Sequence, residues 1–241
     1  MYIEAAQTYE RMNEQRRTFE YMMQAVLNSP ENLKWKVWLI ASRSEYKIGN
    51  ISQARKLIER CLVEVPQKQQ SLALLEYAKF FEMQGQVARA RQIMNQTKKL
   101  VKSEWKVYFE AVMLELRNGF FAEAEEMVKS SLQIHNATGR LWATLIQLQH
   151  ARSRTAEGFA ETYATFIKSL NEIPKSGEVW CEGARLHMNS HPQNTYYDLD
   201  MARKYLEFAI QFTPQYGDSF LEMLKLSMLL PQNEQTRELN N

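Results

Sequence analysis

Glycine and proline are scarce in this chain of 241 residues, at 8 and 6. That leaves few tight turns and suits long helices with short connections. There are two cysteines, Cys61 and Cys181, and no CxxC. This excludes a disulfide scaffold and favours a reducing, intracellular compartment. No run of 18 apolar residues occurs, so no membrane span is expected, and the opening MYIEAAQTYERMNEQRR lacks the apolar core of a signal peptide. Net charge is only +2, so the chain as a whole is no polyelectrolyte partner, which leaves a local basic patch open. GxSxG, P-loop, GxGxxG and HExxH motifs are all missing; no enzyme activity and no cofactor is expected. His187 and His191 stand four apart with Cys181 near, but Asn189 and Pro192 place His191 in a loop, and no metal site is expected.

What the chain does have is a repeat. With Ala54 as anchor, equivalent positions fall at Thr18, Ala54, Ala90, Ala124, Thr162 and Ala202, in steps of 36, 36, 34, 38 and 40 residues. Four past the anchor stand Met22, Ile58, Met94, Val128, Phe166 and Leu206, all apolar. Seven past it stand Ala25, Cys61, Thr97, Ser131, Ser169 and Ala209, all small. Offsets of 4 and 7 share one face of an α-helix, so the segment buries one stripe, and small residues there let a neighbouring helix come close. Four of the 6 prolines, Pro30, Pro66, Pro174 and Pro214, sit 12 past the anchor, where they end the helix. Five before it, Gly49, Gly85 and Gly119 mark a turn, with Asn13 at the matching place in the first unit; glycine and asparagine readily take the left-handed conformation. A second, aromatic-marked helix precedes each turn, carrying Trp35, Trp38, Tyr77, Trp105, Tyr108, Trp142 and Trp180, read as packing rather than base-stacking residues. The unit is helix A, turn, helix B. Each pair leaves an apolar face that the next pair covers.

These residues resemble the tetratricopeptide repeat (TPR), and more closely its half-a-TPR (HAT) variant. Trp38, Glu45, Gly49, Ala54 and Arg55 follow the HAT pattern; so do Trp105, Tyr108, Glu115, Gly119 and Ala124, with Glu125 in place of the arginine, and Tyr77, Gly85, Ala90 and Arg91, with Phe81 in place of the glutamate. The resemblance is carried by units two to four. In the fifth and sixth, HARSRTAEGFAET and HMNSHPQNTYYDLDM are expected to lengthen the A–B turn. The fold class expected is all-α: a right-handed α-α superhelix, a TPR/HAT-like solenoid, of about six helix pairs plus a C-terminal helix. It forms a single helical-repeat domain over residues 1–230, in units 1–30, 31–66, 67–102, 103–136, 137–174 and 175–214, with a final helix 215–230 and a polar tail 231–241. The resemblance implies a non-catalytic scaffold that binds other proteins of a multi-subunit complex in RNA processing (splicing, 3′-end formation or rRNA maturation), and it favours the nucleus over the cytoplasm.

Three places are candidate sites. Lys98, Lys99, Lys102 and Lys106 gather around one B–A junction and could contact RNA phosphates; the competing reading is solvated helix ends. The insertion before the sixth helix B carries Tyr196 and Tyr197, a partner contact or a tolerated loop. The final helix, SFLEMLKLSMLL, is apolar on more than one face, so Leu226, Leu229 and Leu230 are expected to meet a partner or a second copy in a homodimer, unless the chain is a piece of a longer repeat protein.

Overall fold

A computed structural model describes residues 1–230; the tail read at 231–241 lies outside the described residues. Among the described residues the fold is all-α, with thirteen α-helices, two single 3-10 turns and no strand. Helices at A positions are α1 (Tyr2–Arg11), α3 (Lys34–Ile48), α5 (Gln70–Met83), α7 (Trp105–Arg117), α9 (Gly139–Arg152), α11 (Gly177–Met188) and α13 (Gly217–Leu229). Those at B positions are α2 (Gln15–Asn28), α4 (Ile51–Glu64), α6 (Val87–Leu100), α8 (Phe121–Ile134), α10 (Ala156–Glu172) and α12 (Leu199–Phe212). The chain divides into two compact units, Met1–Leu114 and the part from Glu115 on, each considered by itself below.

The B helices follow the repeat register residue by residue. Every anchor, every residue four past it and every residue seven past it is buried, from Thr18, Met22 and Ala25 through Ala202, Leu206 and Ala209. All six B helices end ten residues past the anchor, at Asn28, Glu64, Leu100, Ile134, Glu172 and Phe212. Before Pro30 and Pro66 the backbone turns extended at Ser29 (ψ 140°) and Val65 (ψ 133°), as the proline ring demands of its predecessor.

The turns divide into two kinds. Asn13, Gly49, Gly85 and Gly119 have φ of 62°, 91°, 73° and 80°, the left-handed conformation their residue types suit. The last two A–B connections lack such a residue, and there the B helix is capped by a side chain instead. Thr155 accepts from the Gly158 amide, and Asp198 from the amides of Asp200 and Met201. The fifth A–B connection is not lengthened, contrary to the sequence expectation. It is three residues, 153–155, and the inserted residues extend α10 at its N-terminus to 17 residues. The sixth is a true loop, 189–198.

In the first unit Trp35, Trp38, Cys61 and Ala73 form a core cluster. Trp38 donates Nε1–H to Glu64 at 2.6 Å under the Arg60 guanidinium, 4.1 Å from the ring centre. In the second unit Trp142 and Trp180 donate to the carbonyls of Asn136 and Pro174, each at 2.7 Å. These tryptophans therefore tie helix A to the chain leaving a helix B. Helices approach closely in the second unit: a Cβ on Gly183 would stand 2.4 Å from the Phe166 ring, and one on Gly177 would stand 2.6 Å from the Ala209 carbonyl oxygen.

Ala209→Leu overpacks this contact and should lower unfolding free energy by about 1–3 kcal/mol, whereas exposed Ala160→Leu should change it little. Urea denaturation of the two variants checks the register; equal midpoints would show it to be misplaced.

Candidate protein-interaction surfaces

The A helices of the first unit are linked at one-repeat spacing by charged side chains. Lys47 on α3 reaches Glu10 on α1 at 2.5 Å. Arg43 on α3 reaches Glu76 on α5 at 2.7 Å, and Lys79 on α5 reaches Glu110 on α7 at 3.5 Å. The Tyr46 hydroxyl donates to the Met83 carbonyl at 2.8 Å. Exposed pairs of this kind add little stability singly, but they fix where each charge stands. Between α1, α3 and α5 they border a groove of about 360 Å³. Its polar lining includes the cations Arg11, Arg43, Lys47 and Lys79 against the carboxylates Glu10 and Glu76, and its apolar lining includes Ile40, Phe80 and Met83. Arg11 makes no ion pair among the described residues. Sequence reading did not single out this groove. Its one signal was charge at matching places in successive A helices, which means nothing until those helices lie side by side.

The second unit carries a buried version of the same linkage. Gln147 on α9 donates to Glu182 on α11 at 2.7 Å. Arg185, one turn on, pairs with Glu182, with Glu222 on α13 at 3.0 Å and with Asp218 at 3.3 Å. Glu182 is fully buried and its Oε2 has no hydrogen-bond partner. Burial raises its pKa to about 7, against the opposing pull of Arg185 and Gln147. Burial also works against the Arg185 charge, but Glu182 and Glu222 outweigh it and hold the guanidinium above its ordinary value. This network is a structural joint between α9, α11 and α13 rather than an open site.

The residues singled out from sequence fall as follows. Lys98 and Lys99 end α6, Lys102 lies in the connection and Lys106 in the first turn of α7. Lys99, Lys102 and Lys106 are exposed. Lys98 is half-buried, its Nζ 6.0 Å from the centre of the buried Tyr108 ring. Tyr196 is half-buried and stacks on Tyr163, centroids 4.2 Å apart, so it anchors its loop internally, whereas Tyr197 is exposed. The loop is held by two asparagines: Asn194, which sequence reading passed over, and Asn189, which it used only as a loop marker. Buried Asn194 donates to the carbonyls of Leu186 and Asn189 at 2.8 and 2.7 Å, and Asn189 meets His150 at 2.7 Å. His187 lies edge-on to Tyr163 and Tyr205, and His191 packs against Phe159.

The expectation for the last helix needs correction. Leu226 and Leu230 are 1% and 6% exposed: they belong to the inner stripe of α13, with Ser219 and Glu222, and cannot face a partner. Leu229 is exposed, as are Phe220, Leu221, Leu224 and Met228. The sequence pattern showed two apolar faces and could not tell which one the preceding pair would cover.

Comparison with known proteins fits this architecture. The family model described as "PRP6, TPR-like domain" matches residues 1–241. The chain belongs to the PRP6 TPR-like domain family. Over 126 residues it is 48% identical to a TPR-containing protein of Dictyostelium discoideum, a match spanning 52% of this chain and 9% of that relative's length. Among solved structures, yeast Tom70 matches with a TM-score of 0.65 at 13% identity, covering 91% of this chain and 44% of that one. The C-terminal part of a TPR repeat-containing protein from Cytophaga hutchinsonii matches with a TM-score of 0.53 at 16% identity, covering 91% and 84%. A chain of the APC/C hetero-tetramer Cut9–Hcn1 matches with a TM-score of 0.51 at 15% identity, covering 92% and 42%. At these identities the structural likenesses show the fold: a TPR-like helical repeat. No helix among the described residues is long and apolar enough to cross a membrane.

In this PRP6-family chain the raised pKa of Glu182 has a definite consequence for stability. Between about pH 4.5, where an unfolded glutamate ionises, and about pH 7, the unfolded chain releases a proton that the folded chain keeps. Stability is therefore lost as pH rises through that window, by on the order of 3 kcal/mol. Glu182→Gln cannot titrate, so its thermal midpoint should gain on wild type between pH 4.5 and 7 and hold that gain above it. Parallel curves for the two proteins across the window would contradict the assignment.

Proposed function

We propose that the chain is a non-catalytic helical-repeat scaffold that binds other proteins within a larger assembly, an RNA-processing one working in the nucleus. Membership of the PRP6 TPR-like family and the HAT-like pattern of units two to four support the RNA-processing setting, splicing first among 3′-end formation and rRNA maturation. That a matched chain is part of the hetero-tetramer Cut9–Hcn1 supports the multi-subunit setting. The observation that carries the reading is the groove of the first unit. Its lining sets four cations against two carboxylates beside an apolar strip. That suits an extended partner segment in which acidic residues flank an apolar one, steered in by charge and held by burial. The whole array of 1–230 acts in this reading as one repeat domain.

The second reading, a direct RNA-binding module, rests on the exposed Lys99, Lys102 and Lys106 beside half-buried Lys98. Neutralising three phosphates of a single strand gives log affinity a slope of about −2 against log salt. An oligonucleotide titration with that slope, lost in the triple alanine variant, would favour this reading over the first.

For the scaffold reading, Arg11→Glu with Lys79→Glu reverses charge at the groove without opening a buried site. The double variant should keep its helix content and unfold cooperatively, at a lower midpoint because Lys79→Glu loses Glu76 and Glu110, yet fail to recover the wild-type set of protein partners from the native complex. Recovery of the same set at the same yield would exclude the groove.

A further inference from the structure

The charges of the chain are unevenly spread. Residues 1–114, the first unit, hold 18 of the 30 Lys and Arg but 12 of the 28 Asp and Glu. The surplus is sharpest in α6, VARARQIMNQTKKL, which carries Arg89, Arg91, Lys98 and Lys99 and no acid. Nine residues before the anchor, where the second and fourth repeats have Glu45 and Glu115, the third has Phe81. The Phe81 ring is buried, with the Arg89 guanidinium 4.2 Å and the Arg55 guanidinium of α4 6.0 Å from its centre. An aromatic face attracts a guanidinium without cancelling its charge. Sharing one ring also sets the basic flanks of α4 and α6 side by side. Glu59 of α4 is held by Arg55 at 2.9 Å and by the Tyr77 hydroxyl at 3.2 Å. Lys56, Arg89, Lys99, Lys102 and Lys106 make no ion pair among the described residues, and all five are exposed. On α6, exposed Arg89, Gln92, Gln96 and Lys99 follow at spacings of three and four, which makes one stripe about 15 Å long.

We propose that this stripe of α6, continued by Lys102 and Lys106 and flanked by Lys56 of α4, binds the backbone of a single-stranded RNA. The cations meet phosphates and release their counterions. Between them stand the carboxamides Gln92, Asn95 and Gln96, which both donate and accept hydrogen bonds. That matches the open base edges and 2′-hydroxyls of an unpaired strand. An acidic polypeptide segment is held by burial of an apolar residue beside its charges, as the groove between α1, α3 and α5 allows. Here no exposed large apolar side chain stands between Arg89 and Lys99. The surface contains the three lysines of the RNA-binding reading, on which it rests, and adds Arg89 on α6 and Lys56 on α4. It shares no residue with the groove, so the scaffold reading stands or falls separately.

The test is fluorescence anisotropy of a labelled oligouridylate titrated with the full chain, between about 50 and 200 mM salt. Five phosphate contacts should give log affinity a slope of about −3.5 against log salt, where the three lysines alone give about −2. Lys56→Gln with Arg89→Gln should return the slope to about −2 and weaken binding about tenfold at about 150 mM salt. That double variant loses no ion pair and should keep its helix content. Gln92→Ala with Gln96→Ala should weaken binding severalfold at an unchanged slope, because carboxamides release no counterions. A wild-type slope near −2 that Lys56→Gln with Arg89→Gln leaves in place overturns the proposal and spares the three-lysine reading. No saturable binding at the lowest salt overturns both. Displacement of the probe by polyglutamate as readily as by unlabelled oligouridylate, at equal charge concentration, also overturns the proposal and makes the occupant an acidic protein segment.

Discussion

The close approach allowed by small residues on the B helices is what the rest of the structure depends on. Ala54, Ala90, Ala124 and Ala202, and the small residue seven past each, give their helices a flank with almost no side chain, and all of them are buried. At Gly177 the spacing is so tight that a methyl group would meet the Ala209 carbonyl. Helices at this distance bury Trp35, Trp38, Tyr108 and Trp142 of the A helices, each a large apolar area removed from water. All six B helices end at the same place in the repeat, so the small residues stay in register from one unit to the next.

That spacing also sets where charge can stand. Neighbouring A helices lie near enough for Arg43 to reach Glu76 and for Arg185 to reach Glu222, each about one repeat away in sequence. In the first unit such pairs border an open groove whose lining has a net positive charge. In the second the same arrangement closes over Glu182, and the polar groups become a joint. One repeat thus yields an open groove in one unit and a buried linkage in the other, according to how far the side chains are covered.

The parts of this architecture that repeat along one helix were legible in the sequence. The anchor, apolar and small positions of helix B, its proline stop and the left-handed Asn13, Gly49, Gly85 and Gly119 all depend on local geometry, and all appear where the pattern put them. What depends on contacts between units of the repeat was not legible. The groove residues are ordinary surface charges until α1, α3 and α5 lie side by side. The extra residues before α10 read as loop because a turn signal, Ser153 to Thr155, sits beside them, yet Thr155 caps a longer helix. Asn194, unremarked in the sequence, supplies the hydrogen bonds that hold the loop. Leu226 and Leu230 could not be told from Leu229, since a helix apolar on more than one face does not say which side its neighbour takes.

The central claim is that partners are bound on the A-helix groove of the first unit. Lysine-directed cross-linking of the native complex, read by mass spectrometry, tests it most directly. Lys47 and Lys79 line the groove, whereas Lys56 and Lys129 are exposed on B helices. The account predicts inter-protein cross-links concentrated at Lys47 and Lys79. Cross-links confined to Lys56 and Lys129, with the groove lysines free to react with a small acylating reagent in the intact complex, would contradict it.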